Sequence, residues 1–167
     1  MDIKILGIDP GLANLGWGII NLGENNKTSF VDCGCITTSS KKDTPDRLGI
    51  LYTEISEIID KYEPKEAVLE QIFFAKNVKS AVKVAQARGA VIAALNNYNL
   101  KIKGYSPLQI KKALVGYGRA QKDQVQFMVK NFLNLKKVPR SDHKTDALAV
   151  ALCHSNHRNL NKILEAN

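Results

Sequence analysis

The sequence has little cysteine and no long apolar run, and both shortages narrow the kinds of protein it can be. Three cysteines in 167 residues are too few for a disulfide framework and suit a reducing compartment. No stretch approaches the roughly 18 apolar residues that a membrane-spanning helix needs. The opening MDIKILGIDPG lacks the basic start and cleavable apolar segment of a secretion signal, so we expect a cytoplasmic protein.

The few cysteines do not have the spacing of a zinc site. Cys33 and Cys35 stand two apart on a predicted strand and share one face, without a second pair to complete four ligands. We interpret them as small core residues. Cys153 lies close to His154 and His157, which suggests zinc, but we favour a solvated end of the last helix.

Acidic residues are almost absent from the middle of the chain. The formal net charge is +8, yet residues 71–141 contain fourteen Lys or Arg and a single acid, Asp123, a balance of +13. The remainder contains ten basic and fifteen acidic residues, a balance of −5. This segregation predicts a polyanion-binding surface beside an acidic centre, although a solvated basic face is the simpler alternative.

Apolar periodicity predicts an α/β domain. Three strands at residues 3–9, 15–22 and 29–38 predict an antiparallel meander. The remaining elements follow in order: a helix capped by Thr44 and ended by Pro64, a strand at 67–70, a helix at 77–97, a strand at 100–105, and helices from 106 to about 157. This order is that of ribonuclease H-like folds, with a five-stranded mixed sheet and helices on both faces. We expect one domain over residues 1–157 and a C-terminal tail over 158–167.

Acidic side chains end two of the apolar strands. Asp9 ends the first strand and Glu70 the fourth, so both emerge at one sheet edge if these strands are parallel neighbours. His143 and Asp146 are three apart on the last helix and share a face. Three carboxylates and an imidazole suit a divalent cation, and two ions about 3.5–4 Å apart serve phosphodiester hydrolysis. The simpler alternatives are a turn, an exposed strand end and a helix cap, and we assign the cap to Asp142.

Four collinear segments make the chain recognisable. They are GIDPGLANLGWGII, VLEQIFFAKNVKSAVKVAQARGA, GYGRAQKDQVQFMV and SDHKTDALAVALCH. They resemble the crossover junction endodeoxyribonuclease RuvC family, and the similarity covers the chain from about residue 5 to residue 157. The resemblance implies a ribonuclease H-like bacterial nuclease that acts as a homodimer and makes paired nicks across four-way DNA junctions. It further implies cooperation with a branch-migration motor complex.

The same resemblance assigns metal-binding acids to Asp9, Glu70 and Asp146, with Mg²⁺ or Mn²⁺ as the cofactor. We expect two ions per site, because two ions can serve phosphodiester hydrolysis together. The fourth family position falls on His143, where many members carry Asp. A neutral imidazole adds no negative charge and suits Mn²⁺ somewhat better than Mg²⁺. We expect His143 to be a metal ligand first and a proton relay second.

Basic residues after Glu70 are the predicted DNA contacts. Lysines recur at helical spacing, and further basic residues follow near the GYGR segment. An aromatic pair, Phe73 and Phe74, lies beside the acidic edge. We favour Phe73 for stacking on an unpaired base, with packing in the core as the alternative. The predicted set is Phe73, Lys76, Lys79, Lys83, Lys111, Lys112, Arg119 and Lys122. A row of small residues, Ala81, Ala85, Gly89 and Ala93, favours close approach either of the chain's own sheet or of a second copy.

Two other functions fit parts of the pattern. An actin-like ATPase also begins with an acid, a turn and glycines. Such an ATPase needs two of these domains to clamp a nucleotide, whereas this chain has room for one. A catalytically inactive junction-binding module would bind DNA without cutting it, and the full set of metal-binding side chains argues against that.

Overall fold

The predicted five-stranded mixed sheet is confirmed by the computed structural model, which describes residues 2–71 and 78–165. The strands are β1 (Ile3–Asp9), β2 (Asn14–Leu22), β3 (Thr28–Thr37), β4 (Glu66–Glu70) and β5 (Lys101–Tyr105). Their order across the sheet is β3-β2-β1-β4-β5. The pairs β1–β2 and β2–β3 are antiparallel, whereas β1–β4 and β4–β5 are parallel, so the meander forms one half of the sheet and the crossovers the other.

Helices cover both faces of the sheet. They are α1 (Thr44–Tyr62), α2 (Val78–Asn97), α3 (Pro107–Val115), α4 (Lys122–Phe132) and α5 (Asp142–Glu165). Alternate side chains of β1 feed two cores, because strand residues point to opposite faces. Ile5 packs with α3, α4 and α5, while Leu6 and Ile8 pack with α1 and α2. No helix in the described part of the chain is both long and apolar enough to cross a bilayer.

The start of α1 differs from the prediction by one residue. The cap is Asp43 rather than Thr44, and its Oδ1 accepts a hydrogen bond of 3.1 Å from the backbone nitrogen of Asp46. Thr44 and Pro45 are therefore the first helical residues, which suits the fixed φ of proline.

The last helix is longer and more deeply buried than the sequence suggested. It continues to Glu165 rather than ending near His157, and Cys153 and His154 are 0% and 7% exposed. The prediction of a solvated helix end was wrong. The described residues hold no cluster of three His, Cys, Asp or Glu that would bind zinc there either.

A buried polar network explains why that end of α5 is inside. His154 Nε2 lies 2.7 Å from Glu66 Oε2, and the Tyr105 hydroxyl lies 2.8 Å from His154 Nδ1. Arg158 pairs with the other Glu66 oxygen. Burial lowers the pKa of His154 and raises the pKa of Tyr105 to about 12, so Tyr105 donates to a neutral imidazole, which donates to Glu66.

The row of small residues on α2 does not face the sheet. Ala85, Gly89 and Ala93 are exposed, and a Cβ added at Gly89 would meet no atom within 4 Å. The buried face of α2 consists instead of Ala87, Val91, Ala94 and Leu95, which join α1 in one core. Packing of the row on the chain's own sheet is therefore excluded. Cys33 packs against the core on the opposite face, and both it and Cys35 are half-buried free thiols.

Candidate active site

Asp9 and Glu70 lie side by side at one edge of the sheet. The parallel pairing of Ile8 with Leu69 places the next residue of each strand at the same level. The backbone around both acids is held in place. Thr38 Oγ1 donates to the carbonyl of Leu12 in the turn after Asp9, and Arg88 Nη1 donates to the Glu70 carbonyl at 3.3 Å. The two carboxylates thus project from fixed points.

Two glycines let α5 approach the sheet at contact distance. A Cβ at Gly7 would lie 2.0 Å from the carbonyl oxygen of Ala147, and one at Gly16 would lie 2.0 Å from that of His143. Any larger residue at either position would push the helix away. Because Gly16 pairs with Asp9 across β1 and β2, this packing brings the first turn of α5 over Asp9. His143 Nδ1 lies 2.7 Å from Asp9 Oδ2 as a result.

Glu70 and Asp146 line a pocket between the sheet edge and the helices of the α5 face. Its volume is about 190 Å³, and two lysines, Lys111 and Lys122, share the lining with the two acids. The remaining wall is apolar and comes from Pro107, Ile110, Val125 and Ala149. Carboxylates and ammonium groups therefore share a cleft that has one apolar wall.

The electrostatics show that the acids are crowded. Burial, together with the neighbouring charges of Asp9 and Asp146, raises the pKa of Glu70 to about 7. Burial also raises the pKa of Asp146, an effect that Lys122 opposes and Asp9 reinforces. A carboxylate that is hard to ionise among like charges gains most from a nearby cation.

The donor set fits a hard divalent cation in its chemistry. Three carboxylates and one imidazole are available, and their mutual repulsion is what a cation relieves. In the described part of the chain, however, no three of these side chains already surround one point. Asp9 is engaged by His143 at 2.7 Å, and Asp146 is engaged by Lys122 at 3.4 Å. A cation therefore has to compete with Lys122 for Asp146 and to share Asp9 with His143.

The predicted DNA-contact residues divide into three groups. Lys111 and Lys122 line the acidic pocket. Lys83, Lys112 and Arg119 are exposed on α2, on α3 and in the turn after α3. The other predicted contacts are outside the described residues, either entirely or by side chain: Phe73, with its neighbour Phe74, Lys76 and Lys79.

Three residues that matter to this geometry were missed or misassigned from sequence. Gly16 was missed, although the sequence contains a signal for it. Gly16 and Gly18 lie on the same face of β2, and such a glycine repeat indicates the close approach of a helix. Arg88 gave no signal. Asp142 was assigned as a helix cap, but its side chain instead accepts from Gln126 Nε2 at 3.0 Å and pairs with Lys122 at 3.1 Å.

Comparison with known proteins places the chain in one family. The family model described as crossover junction endodeoxyribonuclease RuvC matches residues 5–154. The RuvC protein of Finegoldia magna is 50% identical over 152 residues, covering 91% of this chain and 92% of that protein. The RuvC protein of Alkaliphilus oremlandii is 50% identical over 161 residues, covering 96% and 98%.

Solved structures agree with the sequence matches. Thermus thermophilus RuvC in complex with a Holliday junction substrate superposes with a TM-score of 0.90 at 33% identity, covering 95% of this chain and 96% of that one. The yeast mitochondrial Holliday junction resolvase Ydc2 shares the fold, with a TM-score of 0.64 at 13% identity over 96% and 85% of the two chains. The chain belongs to the crossover junction endodeoxyribonuclease RuvC family.

Proposed function

We propose that this protein is a structure-specific endonuclease that resolves Holliday junctions in homologous recombination and DNA repair, by paired metal-dependent hydrolysis. The observation that carries the proposal is the convergence of two strand-end acids, Asp9 and Glu70, with His143 and Asp146 of α5 beside two pocket lysines. Family membership and the Thermus thermophilus relative solved with a Holliday junction support the same substrate.

The residues that would hold the cation are Asp9, Glu70, His143 and Asp146. We expect Mg²⁺, with Mn²⁺ as a substitute and two ions per site. Such ions would supply activation of the attacking water and charge stabilisation at the phosphate and the departing 3′ oxygen. The chain's own part is positioning. Asp9 fixes the orientation of the His143 ring through Nδ1, which leaves Nε2 as its free ring nitrogen.

His143 has two roles consistent with this geometry. As a ligand, it offers Nε2 to the cation. As a proton relay, it would pass a proton through the same nitrogen. His143→Asp separates the roles, because a carboxylate can replace the ligand but titrates in a different range. If that variant retains full cleavage activity with an unchanged pH–rate profile, the proton relay is excluded.

We propose phosphate contacts for the two groups of basic residues whose side chains the structure describes. Lys111 and Lys122 would bind the phosphates nearest the cleaved bond, and Lys83, Lys112 and Arg119 would bind phosphates farther along the arms. Each such contact releases about one counterion, so its loss lowers the salt dependence of junction binding by about one charge. An unchanged slope for Lys112→Ala would remove Lys112 from this set.

A homodimer is proposed because a four-way junction presents two symmetry-related strands to be cut, and two identical sites match it. The exposed row of Ala85, Gly89 and Ala93 on α2 is the surface we assign to the self-contact. We also propose that a branch-migration motor complex delivers the junction. We expect the protein to act in the bacterial cytoplasm.

The direct test of the activity compares a synthetic four-way junction with a linear duplex of the same arm sequence, with Mg²⁺ or Mn²⁺ present. The proposal expects paired cuts in the junction and at most slow cutting of the duplex. An inactive junction-binding module would bind the junction and leave it uncut. An actin-like ATPase would be revealed by thermal stabilisation with ATP and Mg²⁺, and we expect none.

A further inference from the structure

One side chain at the acidic pocket is shared between two carboxylates. Lys122 Nζ lies 3.4 Å from Asp146 Oδ2 and 3.1 Å from Asp142 Oδ2. Asp146 belongs to the proposed metal-binding set, whereas Asp142 does not. The two acids stand one helical turn apart on α5, so a single ammonium group bridges them.

Asp142 is itself held by a second contact from the helix that carries Lys122. Gln126, one turn after Lys122 on α4, donates from Nε2 to Asp142 Oδ1 at 3.0 Å. Both oxygens of Asp142 therefore accept from α4, one from Lys122 and one from Gln126. Buried packing of Val125 and Val129 with the apolar residues of α5 fixes the two helices against each other. The packing of α4 on α5 thus fixes the position of the Asp142 carboxylate as an acceptor.

An ammonium group and a divalent cation cannot both be close to Asp146 without repulsion. Lys122 already neutralises Asp146, so cation binding has to drive the ammonium away from that carboxylate. Asp142 offers it another acceptor on the outer side, where the side chain is 61% exposed against 30% for Asp146. The displaced charge then remains beside the pocket, where the proposed substrate phosphate lies.

We propose that Lys122 is a built-in competitor of the metal for Asp146, and that Asp142 is a positioning residue that decides the competition by holding the displaced ammonium. This inference rests on the proposed metal site. It assigns Asp142 and Gln126 to control of metal affinity.

The test is a double-mutant cycle on Mn²⁺ affinity, measured without DNA by isothermal titration calorimetry and by electron paramagnetic resonance of free Mn²⁺. Lys122→Met removes the competing charge and should tighten Mn²⁺ binding by about fivefold, as expected for a divalent ion and a displaced ammonium group about 8 Å apart in water. Asp142→Asn leaves Lys122 with Asp146 alone and should weaken binding by about threefold in the wild-type background. In the Lys122→Met background, Asp142→Asn should have less than about half of that effect.

Lys130→Met is the matched control, since it removes the same charge from the same helix two turns away and should change the affinity by less than about twofold. Lys122→Gln is a second variant that also removes the charge, and it should behave like Lys122→Met.

Unchanged or weaker Mn²⁺ binding in both Lys122 variants would overturn the competition. Equal weakening by Asp142→Asn in both backgrounds would show that Asp142 acts by its own charge and would overturn its positioning role. Failure of the metal site itself is a separate result. In that case wild-type Mn²⁺ binding would be insensitive to Asp9→Asn, and both proposals would fall.

Discussion

Glu70 is the residue at which burial and like charges act together most strongly. Its carboxyl lies at a strand end, partly covered by the pocket wall and next to two other acids. Burial and the charges of Asp9 and Asp146 bring its pKa to about 7, well above the ordinary value of 4.5. The folded protein therefore holds a proton between these two values that the unfolded chain has already released. Stability should fall as pH rises from 4.5 to 7.

Glu70→Gln should remove this penalty, since an amide does not ionise. In EDTA at pH 8, where the wild-type carboxylate is charged, the variant should melt about 3 °C higher relative to wild type than it does at pH 5. Differential scanning calorimetry at the two pH values measures the difference. Glu54→Gln, an exposed substitution on α1, is the control and should show no such change. The same pH effect in both variants would contradict the assignment.

Single residues also show where sequence reasoning reached its limit. Asp9 and Glu70 were found because an acid directly after an apolar strand is a local pattern. The partners of Lys122 and the burial of His154 were not found, because they depend on contacts across the fold. Lys122 meets Asp142, twenty residues later, and Arg158 neutralises Glu66 from the far end of the chain. Local periodicity made Arg158 look like part of a solvated tail.

At the scale of elements, the close packing of α5 on β1 and β2 builds the site. Helix α5 carries His143 and Asp146, and the sheet carries Asp9 and Glu70, so their separation depends on how near the helix lies. The strand pattern and helix order were predictable from apolar periodicity, whereas the parallel pairing of β1 and β4 was only a condition of the expectation, which the structure meets. The close approach of α5 was not predicted. The glycine repeat of β2 signals it, but the distance depends on contacts of Gly7 and Gly16 with a helix far along the chain.

Gly16→Ala tests this packing. The added Cβ would lie 2.0 Å from the His143 carbonyl oxygen, which forces the first turn of α5 away from Asp9. Single-turnover cleavage should fall by about a hundredfold, the scale expected for a misplacement of about 1 Å, while junction binding stays near wild type. Gly49→Ala on α1, where the new methyl group would meet nothing within 4 Å, is the control. Cleavage by Gly16→Ala at the wild-type rate would show that α5 tolerates the shift.

At the scale of the whole molecule, the two faces of the sheet have different roles. The face covered by α3, α4 and α5 carries the pocket, and the face covered by α1 and α2 presents the exposed row of small residues. The basic segment from 71 to 141 runs through helices on both faces. A second copy that binds through α2 would therefore leave the pocket on the opposite face open to DNA.

Ala85→Glu should break the proposed self-contact, because it places a bulky charge in the middle of that row. Sedimentation velocity should show a monomer at concentrations where the wild type is a dimer, and the remaining cuts in a junction should become unpaired. Thr53→Glu, an exposed change on the neighbouring helix α1, should remain dimeric. A dimeric Ala85→Glu protein would move the interface elsewhere.

The acids at the sheet edge are proposed to hold the metal that cutting requires, and Asp9→Asn removes one of these carboxylate charges. Cleavage of a synthetic four-way junction is measured with Mg²⁺ or Mn²⁺, and junction binding is measured in parallel with EDTA. Asp46→Asn, an exposed acid in the first turn of α1, is the control. We predict paired, symmetric nicks with 5′-phosphate ends from the wild type and the control. For Asp9→Asn we predict cleavage lower by at least about a hundredfold, with binding retained. Cleavage by Asp9→Asn at a rate near that of the wild type would show that Asp9 is not needed to hold the metal.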